Sequence, residues 1–361
     1  MHALHSVLSM LRKTLTVCLF ILAWPGTAAA MPVGHLYEAI VPVPDQSDTE
    51  RRQAQSRAMG QILVKLTGDM AIIDNQRAKP LINQAQNYVQ QYRYLEPESD
   101  SNRPDGGKGL RLWISFDSSS VNDDLQRAGI ATWGKERPAT LFWLAVSTAE
   151  GRQLIGMEQS SRYLEPVNRR ARERGLPLLL PLMDLEDTTK LDPADIANGA
   201  VATIRAASAR YPADVILAVS LTGLDSDRIT ANWTLISDKA GNDNWRSQAN
   251  SLTAVIRDGI DRLANTLARR YGPQGVAGEV RPMELTVSAI DSFDDYARAQ
   301  RYLAGLSSVS RVDVLSVRPD EVVFQLETQA GDASFNQTIS LGRTLRRERG
   351  AGDDNRYSLL P

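Results

Sequence analysis

The sequence predicts a mixed α/β and α+β fold built from three consecutive small modules. Three observations support this fold class. Apolar residues recur at helical spacing in some segments and form alternating or continuous apolar runs in others. Turn-forming residues separate these segments, and a chain of 361 residues has room for two or three domains. We expect the modules to cover residues 31–135, 138–273 and 274–361, after a processed segment at 1–30.

The first module is expected to follow the order β-α-α-β-α. A β-rich stretch over 35–43 precedes a helix over 49–66, whose apolar residues form one stripe. A second helical stretch follows Pro80, because apolar residues continue at helical intervals as far as Tyr92. The remaining expected elements are an alternating strand over 109–117 and a short helix over 118–128.

The second module is expected to follow the order βαβαβ-ββ-α, as an α/β sandwich or open sheet. Its strands are mostly continuous apolar runs, which are typical of strands covered on both faces. The expected strands cover 140–147, 177–183, 213–221, 229–237 and 245–252. The expected helices cover 158–174, 192–210 and a closing stretch from Leu252 to the stop at Tyr271-Gly272-Pro273.

The third module is expected to have a ferredoxin-like β-α-β-β order. A weaker element follows around 339–345, and the charged stretch over 346–355 is expected to fray. The expected strands cover 284–290, 310–317 and 321–327, and the expected helix covers 292–306.

The first 30 residues have the pattern of a secretory signal peptide. A positively charged flank precedes an apolar run of eleven residues from Thr14 to Trp24, and small residues follow at Ala28 and Ala30. A transmembrane helix needs roughly 20 apolar residues, so this run is short for an anchor. We expect cleavage between Ala30 and Met31 and export to the periplasm, with a retained N-terminal anchor as the alternative.

Composition narrows the function classes. The chain has 41 Lys and Arg residues against 43 Asp and Glu residues, a balance that argues against a nucleic-acid partner. Its single cysteine, Cys18, lies within 1–30 together with two of the three histidines, so a processed chain keeps only His35. A chain without cysteine suits an oxidising compartment and favours the bacterial periplasm.

Sequence motifs of catalysis and cofactor binding are absent. The sequence has no G-x-S-x-G elbow, no G-x-G-x-x-G fingerprint and no P-loop, and the glycine-rich stretch 106–109 lacks the P-loop spacing. His35 is the single histidine available as a base, and zinc would need more histidine or cysteine ligands. We therefore expect no cofactor and no metal, and the sequence leans towards a protein that is not an enzyme.

Asp184, Glu186 and Asp187 are the candidate catalytic residues. They follow the predicted strand over 177–183, and loops at the carboxyl ends of strands are common binding places in α/β sheets. Two carboxylates facing one cleft would suit a glycan hydrolase, and converging oxygens would suit a hard cation. The structural alternative is that acids at a helix start are stabilised by the helix dipole.

Tryptophan and arginine clusters each allow two interpretations. Five tryptophans lie on or beside predicted strands, which favours core and sheet-edge packing over a carbohydrate-binding platform. They are Trp113, Trp133, Trp143, Trp233 and Trp245. The arginine-rich stretches 169–174 and 343–349 include acidic neighbours, so we interpret them as solvated faces rather than membrane-binding patches.

Several sequence stretches together resemble a known family. They are LYEAIVPVPDQSDTERRQAQSRAMGQILVKLTGD at 36–69, YRYLEP at 92–97, LWISFD at 112–117, GLPLLLPLMD at 175–184 and RYPADVILAVSL at 210–221. They resemble the exported proteins of Gram-negative bacteria grouped as the DUF 2066 family. That family has no established activity, so the resemblance implies no catalytic or binding residue.

The order of elements also resembles that of envelope assembly modules. The first module is similar to the N-terminal domain of the flagellar T-ring protein, and the second to the N-terminal domain of the Tol-system periplasmic propeller protein. These resemblances imply a non-enzymatic module that binds another envelope protein. A carboxylate-based envelope hydrolase and a small-ligand or ion-binding protein are the alternatives.

Overall fold

A computed structural model describes most of the chain after residue 33. The described residues are 34–96, 109–156, 161–272, 280–329, 331–342, 344–348 and 355–361. The predicted cleavage residues Ala30 and Met31 lie outside them. The predicted mixed α/β fold class is confirmed, because the helices pack on three separate sheets. Within the described residues, no helix is both long enough and apolar enough to span a membrane.

The N-terminal sheet has three antiparallel strands in the order β1-β3-β2. Its strands are β1 (Glu38–Pro42), β2 (Val89–Leu95) and β3 (Arg111–Phe116), and its helices are α1 (Asp48–Thr67), α2 (Lys79–Asn83) and α3 (Ser118–Arg127). Ser47 caps α1 by accepting the amide of Glu50, and Gly68 ends the helix in the left-handed region at φ 73°. The apolar stripe of α1 packs on one face of the sheet and leaves the other face outside the core.

The predicted second helix of this module is wrong in its second half. The helix α2 ends at Asn83, a 3₁₀ turn covers Ala85–Tyr88, and the residues from Val89 form strand β2. The helical spacing of the apolar residues is real, but pairing with β3 decides the conformation of this stretch. The observed module therefore follows the order β-α-α-β-β-α.

The central sheet has six strands in the order β5-β4-β7-β8-β9, with β6 also paired to β4. The strands are β4 (Thr140–Thr148), β5 (Gly151–Ile155), β6 (Leu178–Leu179), β7 (Val215–Thr222), β8 (Ile229–Ile236) and β9 (Asp243–Ala249). The helices are α4 (Ser161–Arg174), α5 (Leu185–Lys190), α6 (Pro193–Ala197), α7 (Val201–Ser208) and α8 (Leu252–Tyr271). The parallel strands β4 and β7 are buried on both faces, as their continuous apolar runs predicted.

Two predicted features of this module need correction, and one strand was not predicted. The predicted strand over 177–183 is reduced to two paired residues, because Pro177 and Pro181 cannot donate backbone hydrogen bonds. The predicted helix over 192–210 is two helices, α6 and α7, separated at Gly199 with φ 63°. Strand β5, which pairs with β4 as a hairpin, was not predicted.

The C-terminal sheet has five strands in the order β11-β12-β10-β14-β13. The strands are β10 (Arg281–Ser288), β11 (Val309–Val317), β12 (Glu321–Thr328), β13 (Leu345–Arg347) and β14 (Arg356–Leu359), and the helices are α9 (Phe293–Ala304) and α10 (Asp332–Leu341). The predicted β-α-β-β order is confirmed in β10, α9, β11 and β12.

The described part of the C-terminal tail is more ordered than predicted, and residues 349–354 of the stretch expected to fray lie outside the described residues. A helix, α10, stands where a weak element was expected around 339–345, and β13 begins the stretch that was expected to fray. Tyr357 and Leu359 of β14 are buried in the core of this module. Their apolar contacts hold β13 and β14 on the sheet beside β10 despite the charged residues between them.

Candidate partner-binding site

The predicted carboxylates Asp184, Glu186 and Asp187 lie together around Arg210. The Nη1 atom of Arg210 is 2.7 Å from Oδ1 of Asp184 and 3.4 Å from carboxylate oxygens of both other acids. The sequence predicted the acids directly after a strand over 177–183, but β6 ends at Leu179, and Asp184 follows four unpaired residues later. The structure therefore brings the three candidates into one cluster, with an arginine at its centre.

Each acid of this cluster already has a structural partner. The Asp184 side chain caps α5 by accepting the amide of Asp187 at 3.1 Å. The fully buried Asp187 accepts the backbone amide of Met183 at 2.9 Å and the hydroxyl of Tyr211 at 2.5 Å. Lys190 pairs with Glu186 at 2.7 Å. These bonds anchor the loop after β6, where Met183 has a φ of 57°.

The protonation states of the cluster favour the structural interpretation. The hydrogen bond from Arg210 lowers the pKa of Asp184, and the hydrogen bond from Lys190 lowers the pKa of Glu186. A carboxyl group that donates a proton to a glycosidic oxygen needs a raised pKa instead. Asp184 and Glu186 are therefore suited to hold cations of the chain rather than to act as general acids.

A second cluster, at the junction of the N-terminal and central modules, is centred on a fully buried arginine. The guanidinium of Arg137 donates to five backbone oxygens at 2.6–3.3 Å, those of Lys65, Trp133, Gly134, Arg174 and Gly175. It also lies 4.3 Å from the ring centroid of Trp133. Because Lys65 lies at the end of α1 and Arg174 at the end of α4, the cation meets the negative ends of two helices.

Arg174 completes this junction. Its guanidinium donates to the carboxylate of Asp261 at 2.7 Å, the amide oxygen of Asn265 at 2.8 Å and the carbonyl of Gly68 at 2.9 Å. Arg170 donates to the same carboxylate at 2.7 Å. The interpretation of 169–174 as a solvated face is therefore wrong for these two arginines. They lie four residues apart on the face of α4 that packs on α8.

The tryptophans divide into two groups. Core packing is confirmed for the buried group, which consists of Trp133, Trp143, Trp233 and Trp245. Trp113 differs, because it is half-buried on the outward face of β3. The alternation along β3 turns Leu112 and Ile114 into the core and Trp113 out of it. A multi-tryptophan carbohydrate platform is thus absent from the described part of the chain.

Trp113 lies at the centre of a fixed outward-facing group. Ile40 of β1 and Arg93 of β2 are its register partners on the two neighbouring strands. The indole Nε1 donates to Oε2 of Glu38 at 3.0 Å, and the guanidinium of Arg93 lies 4.6 Å from the ring centroid. The other carboxylate oxygen of Glu38 lies 2.8 Å from Nδ1 of the exposed His35. We call Glu38, Ile40, Arg93 and Trp113 the Trp113 patch.

The Trp113 patch has the composition of a protein-binding surface. Ile40 is 47% exposed, so an aliphatic side chain lies open beside the half-exposed indole. Tryptophan and arginine are enriched among the residues that carry most of the energy of protein interfaces. The hydrogen bond to Glu38 and the contact with the Arg93 guanidinium fix the ring of Trp113 before binding, which lowers the entropy lost on association.

The family model that matches this chain covers only its N-terminal module. A model of a domain of unknown function, DUF8605, matches residues 30–134. The match contains the whole N-terminal sheet and the Trp113 patch, and it names neither an activity nor a ligand. The matching model is not that of the DUF 2066 family. No curated protein matches the chain. Within the described residues, no group of three or more histidine, cysteine or acidic side chains is arranged to hold a metal ion.

Proposed function

We propose that this protein is an exported binding or assembly module of the bacterial cell envelope. In this proposal the Trp113 patch binds another envelope protein. The observation that carries the proposal is Trp113 itself, an aromatic side chain held outward between Glu38 and Arg93 beside the exposed Ile40. An outward tryptophan fixed by two charged neighbours has no role in the core of its module.

The sequence supports the compartment in this proposal. The first 30 residues have the charge, length and small-residue pattern of a signal peptide, and residues 31–361 contain no cysteine. The resemblance to the DUF 2066 family and to the two envelope assembly modules points to the same compartment. We propose periplasmic export with cleavage between Ala30 and Met31.

The chemistry of the patch describes the partner. An apolar side chain of the partner would lie on Ile40 and Trp113, where water is released from both surfaces. Glu38 and Arg93 flank this apolar centre with opposite charges, so the partner would present an acidic and a basic group in matching positions. Such a partner is a folded protein surface or an ordered segment with mixed charges.

The two alternative functions have weaker support. A carboxylate-based hydrolase would rely on Asp184, Glu186 or Asp187, whose side chains pair with Arg210 and neighbouring groups. A small-ligand or ion carrier would need a binding cavity or a ligand cluster. No observation in the described part of the chain favours either alternative over partner binding.

A site-specific crosslinking experiment tests the proposal. A photoreactive side chain replaces Ile40 in the full chain, which is expressed in bacterial cells. Ile73 provides the matched control, because it is an isoleucine of the same module, is 40% exposed and lies outside the Trp113 patch. A second pair of samples combines each photoreactive position with Trp113→Ala.

The expected result is one discrete crosslinked envelope protein from position 40, lost with Trp113→Ala and absent from position 73. The crosslinks from both positions would be equal if the contact were non-specific. Equal crosslinking, or no crosslink from position 40, would contradict the proposed binding site.

A further inference from the structure

We propose that the edge strand β11 is a self-association surface, and that a second copy of this chain pairs with it in antiparallel orientation about Val312. This inference is independent of the proposed envelope partner, since it concerns the opposite end of the chain. Among the described residues, no strand pairs with the outer edge of β11. The proposal rests on the charge pattern, the exposed apolar side chains and the groove beside this strand.

Two features that protect edge strands from pairing, a short length and proline, are missing from β11, although it carries two charged residues and two irregularities in its pairing to β12. It is nine residues long, contains no proline and is rich in β-branched residues. The other edge of the same sheet is β13, a three-residue strand with two arginines. Short, charged edges discourage pairing, whereas long apolar edges invite it. Irregularities in the pairing to β12 flank a regular central stretch from Arg311 to Val314.

The charges on β11 are complementary to themselves. Arg311 and Asp313 lie on the same face of the strand, two residues apart. Nε of Arg311 is 2.7 Å from Oδ2 of Asp313 within the strand, and the two side chains are 64% and 50% exposed. A two-fold axis midway between the Val312 residues of two copies places Arg311 of each copy opposite Asp313 of the other. Two opposite-charge pairs across the interface then replace the pair within each strand, whereas a one-residue slip breaks both cross-strand pairs.

Apolar residues beside the charges fit the same arrangement. Val317 is 68% exposed, and Phe293 at the start of α9 is 79% exposed. A groove of about 240 Å³ lies between α9 and the other half of β11, from Gln300 and Ala304 to Val309. Because the axis is perpendicular to the sheet, α9 of both copies lies on the same side. The exposed side chains of Val317 and Phe293 in one copy therefore reach the groove between α9 and β11 of the other copy.

Sedimentation of the full chain with a charge swap tests this inference. Arg311→Asp and Asp313→Arg each convert both cross-strand pairs into like-charge pairs, and the double variant restores them in reverse. The control is Arg346→Asp, an exposed arginine on the opposite edge strand β13. Circular dichroism checks that every variant keeps its secondary structure.

The expected result is a concentration-dependent dimer whose dissociation constant rises at least about tenfold in each single variant. The double variant and Arg346→Asp are expected to dimerise like the original chain. A monomer at all concentrations, a dimer indifferent to the single changes or a double variant that fails to recover would each overturn the inference.

Discussion

Arg137 is a fully buried cation at the junction of the N-terminal and central modules. Burial of the guanidinium removes it from water, and this loss of solvation lowers the pKa of Arg137. None of the described carboxylates forms an ion pair with it. Instead, backbone oxygens at the ends of α1 and α4 accept its hydrogen bonds. The arginine therefore satisfies buried carbonyls at the ends of two helices that belong to different modules.

Removal of this side chain should destabilise the protein strongly. Arg137→Ala leaves several buried carbonyls without donors, and we expect a loss of about 3–5 kcal/mol in the free energy of unfolding, measured by urea denaturation. Arg137→Lys should lose less, because an ammonium still reaches some of the oxygens but not all. Arg77→Ala is the control at an exposed arginine, with an expected change within about 0.5 kcal/mol. Equal stability of Arg137→Ala and the control would contradict the proposed role.

Lys65 should make stability depend on alkaline pH. Its ammonium donates to the carbonyl of Glu38 at 2.6 Å, and burial lowers its pKa from 10.5 to about 8. The unfolded chain therefore holds this proton more tightly, so the cost of burying the charge is full below about pH 8 and disappears towards pH 10.5.

We therefore expect the original chain to gain stability relative to Lys65→Met as the pH rises through this interval. The gain should be roughly 3 kcal/mol, measured as the difference between the unfolding free energies of the two proteins. Other titrating groups are common to both proteins and cancel in this difference. Parallel pH profiles, or a difference that moves in the opposite direction, would rule out the buried charge.

Individual residues differ in how far the sequence predicts them. The alternation in β3 predicts that Leu112 and Ile114 face the core, and this is confirmed. The same alternation contains the signal for an outward Trp113. Burial of Arg174 was not predictable from its neighbours, since its partner Asp261 lies on another helix. The sequence does contain a weak signal for this contact. Arg170 and Arg174 are four residues apart in one helix, and their partners Asp261 and Asn265 are four residues apart in the other.

At the scale of elements, a helix in the central module depends on a glycine for packing rather than for conformation. Gly259 lies in the middle of α8, where a Cβ atom would overlap the indole of Trp233. That indole cannot easily move, because it stacks on Trp245 at 5.8 Å and donates to Ser247 at 2.8 Å. The close approach of α8 to the sheet therefore requires glycine at this position.

Two glycine-to-alanine substitutions in helices should have opposite effects. Gly259→Ala should destabilise the protein by about 1–3 kcal/mol despite the better helix propensity of alanine. At Gly60 of α1, the nearest atom to a Cβ would be Cγ2 of Ile73 at 3.5 Å, an ordinary contact. Gly60→Ala should therefore stabilise the protein by up to about 1 kcal/mol. Thermal unfolding of both variants measures the contrast, and a stabilised Gly259→Ala would refute the packing argument.

Two mispredicted stretches have different physical causes. Strand β2 has helical spacing of apolar residues, but the neighbouring β3 offers backbone partners along its whole length. The stretch over 177–183 is apolar, but two prolines remove donors from it. Pairing with β3 therefore determined the conformation of β2, whereas missing donors limited the pairing of 177–183 to two residues.

At the scale of the whole molecule, three groups of strands could be predicted because each has its own pattern of apolar residues and its own helices. The arrangement of the N-terminal and central modules could not, because it depends on Arg137 and Arg174 at positions that resemble surface arginines. The sequence analysis singled out Trp113 as one of five tryptophans on or beside strands, but it did not predict the Trp113 patch. Its importance follows from the register that brings Ile40, Arg93 and Trp113 into one row.

The most direct measurement of the central claim is the accessibility of position 40 in living cells. Cys18 is replaced by serine, and a single cysteine is introduced as Ile40→Cys or, in the control, Ile73→Cys. Cells and purified protein are then labelled with a maleimide that crosses the outer membrane but not the inner one. Labelling of Ile73→Cys in cells shows that the protein is exported. The ratio of the labelling of Ile40→Cys to that of Ile73→Cys shows whether a partner covers the Trp113 patch.

We expect Ile73→Cys to label equally in cells and in purified protein. Ile40→Cys should label several-fold less in cells than after purification, because the envelope partner covers it. Equal labelling of both positions in cells would contradict binding at the Trp113 patch, and labelling of neither would contradict export.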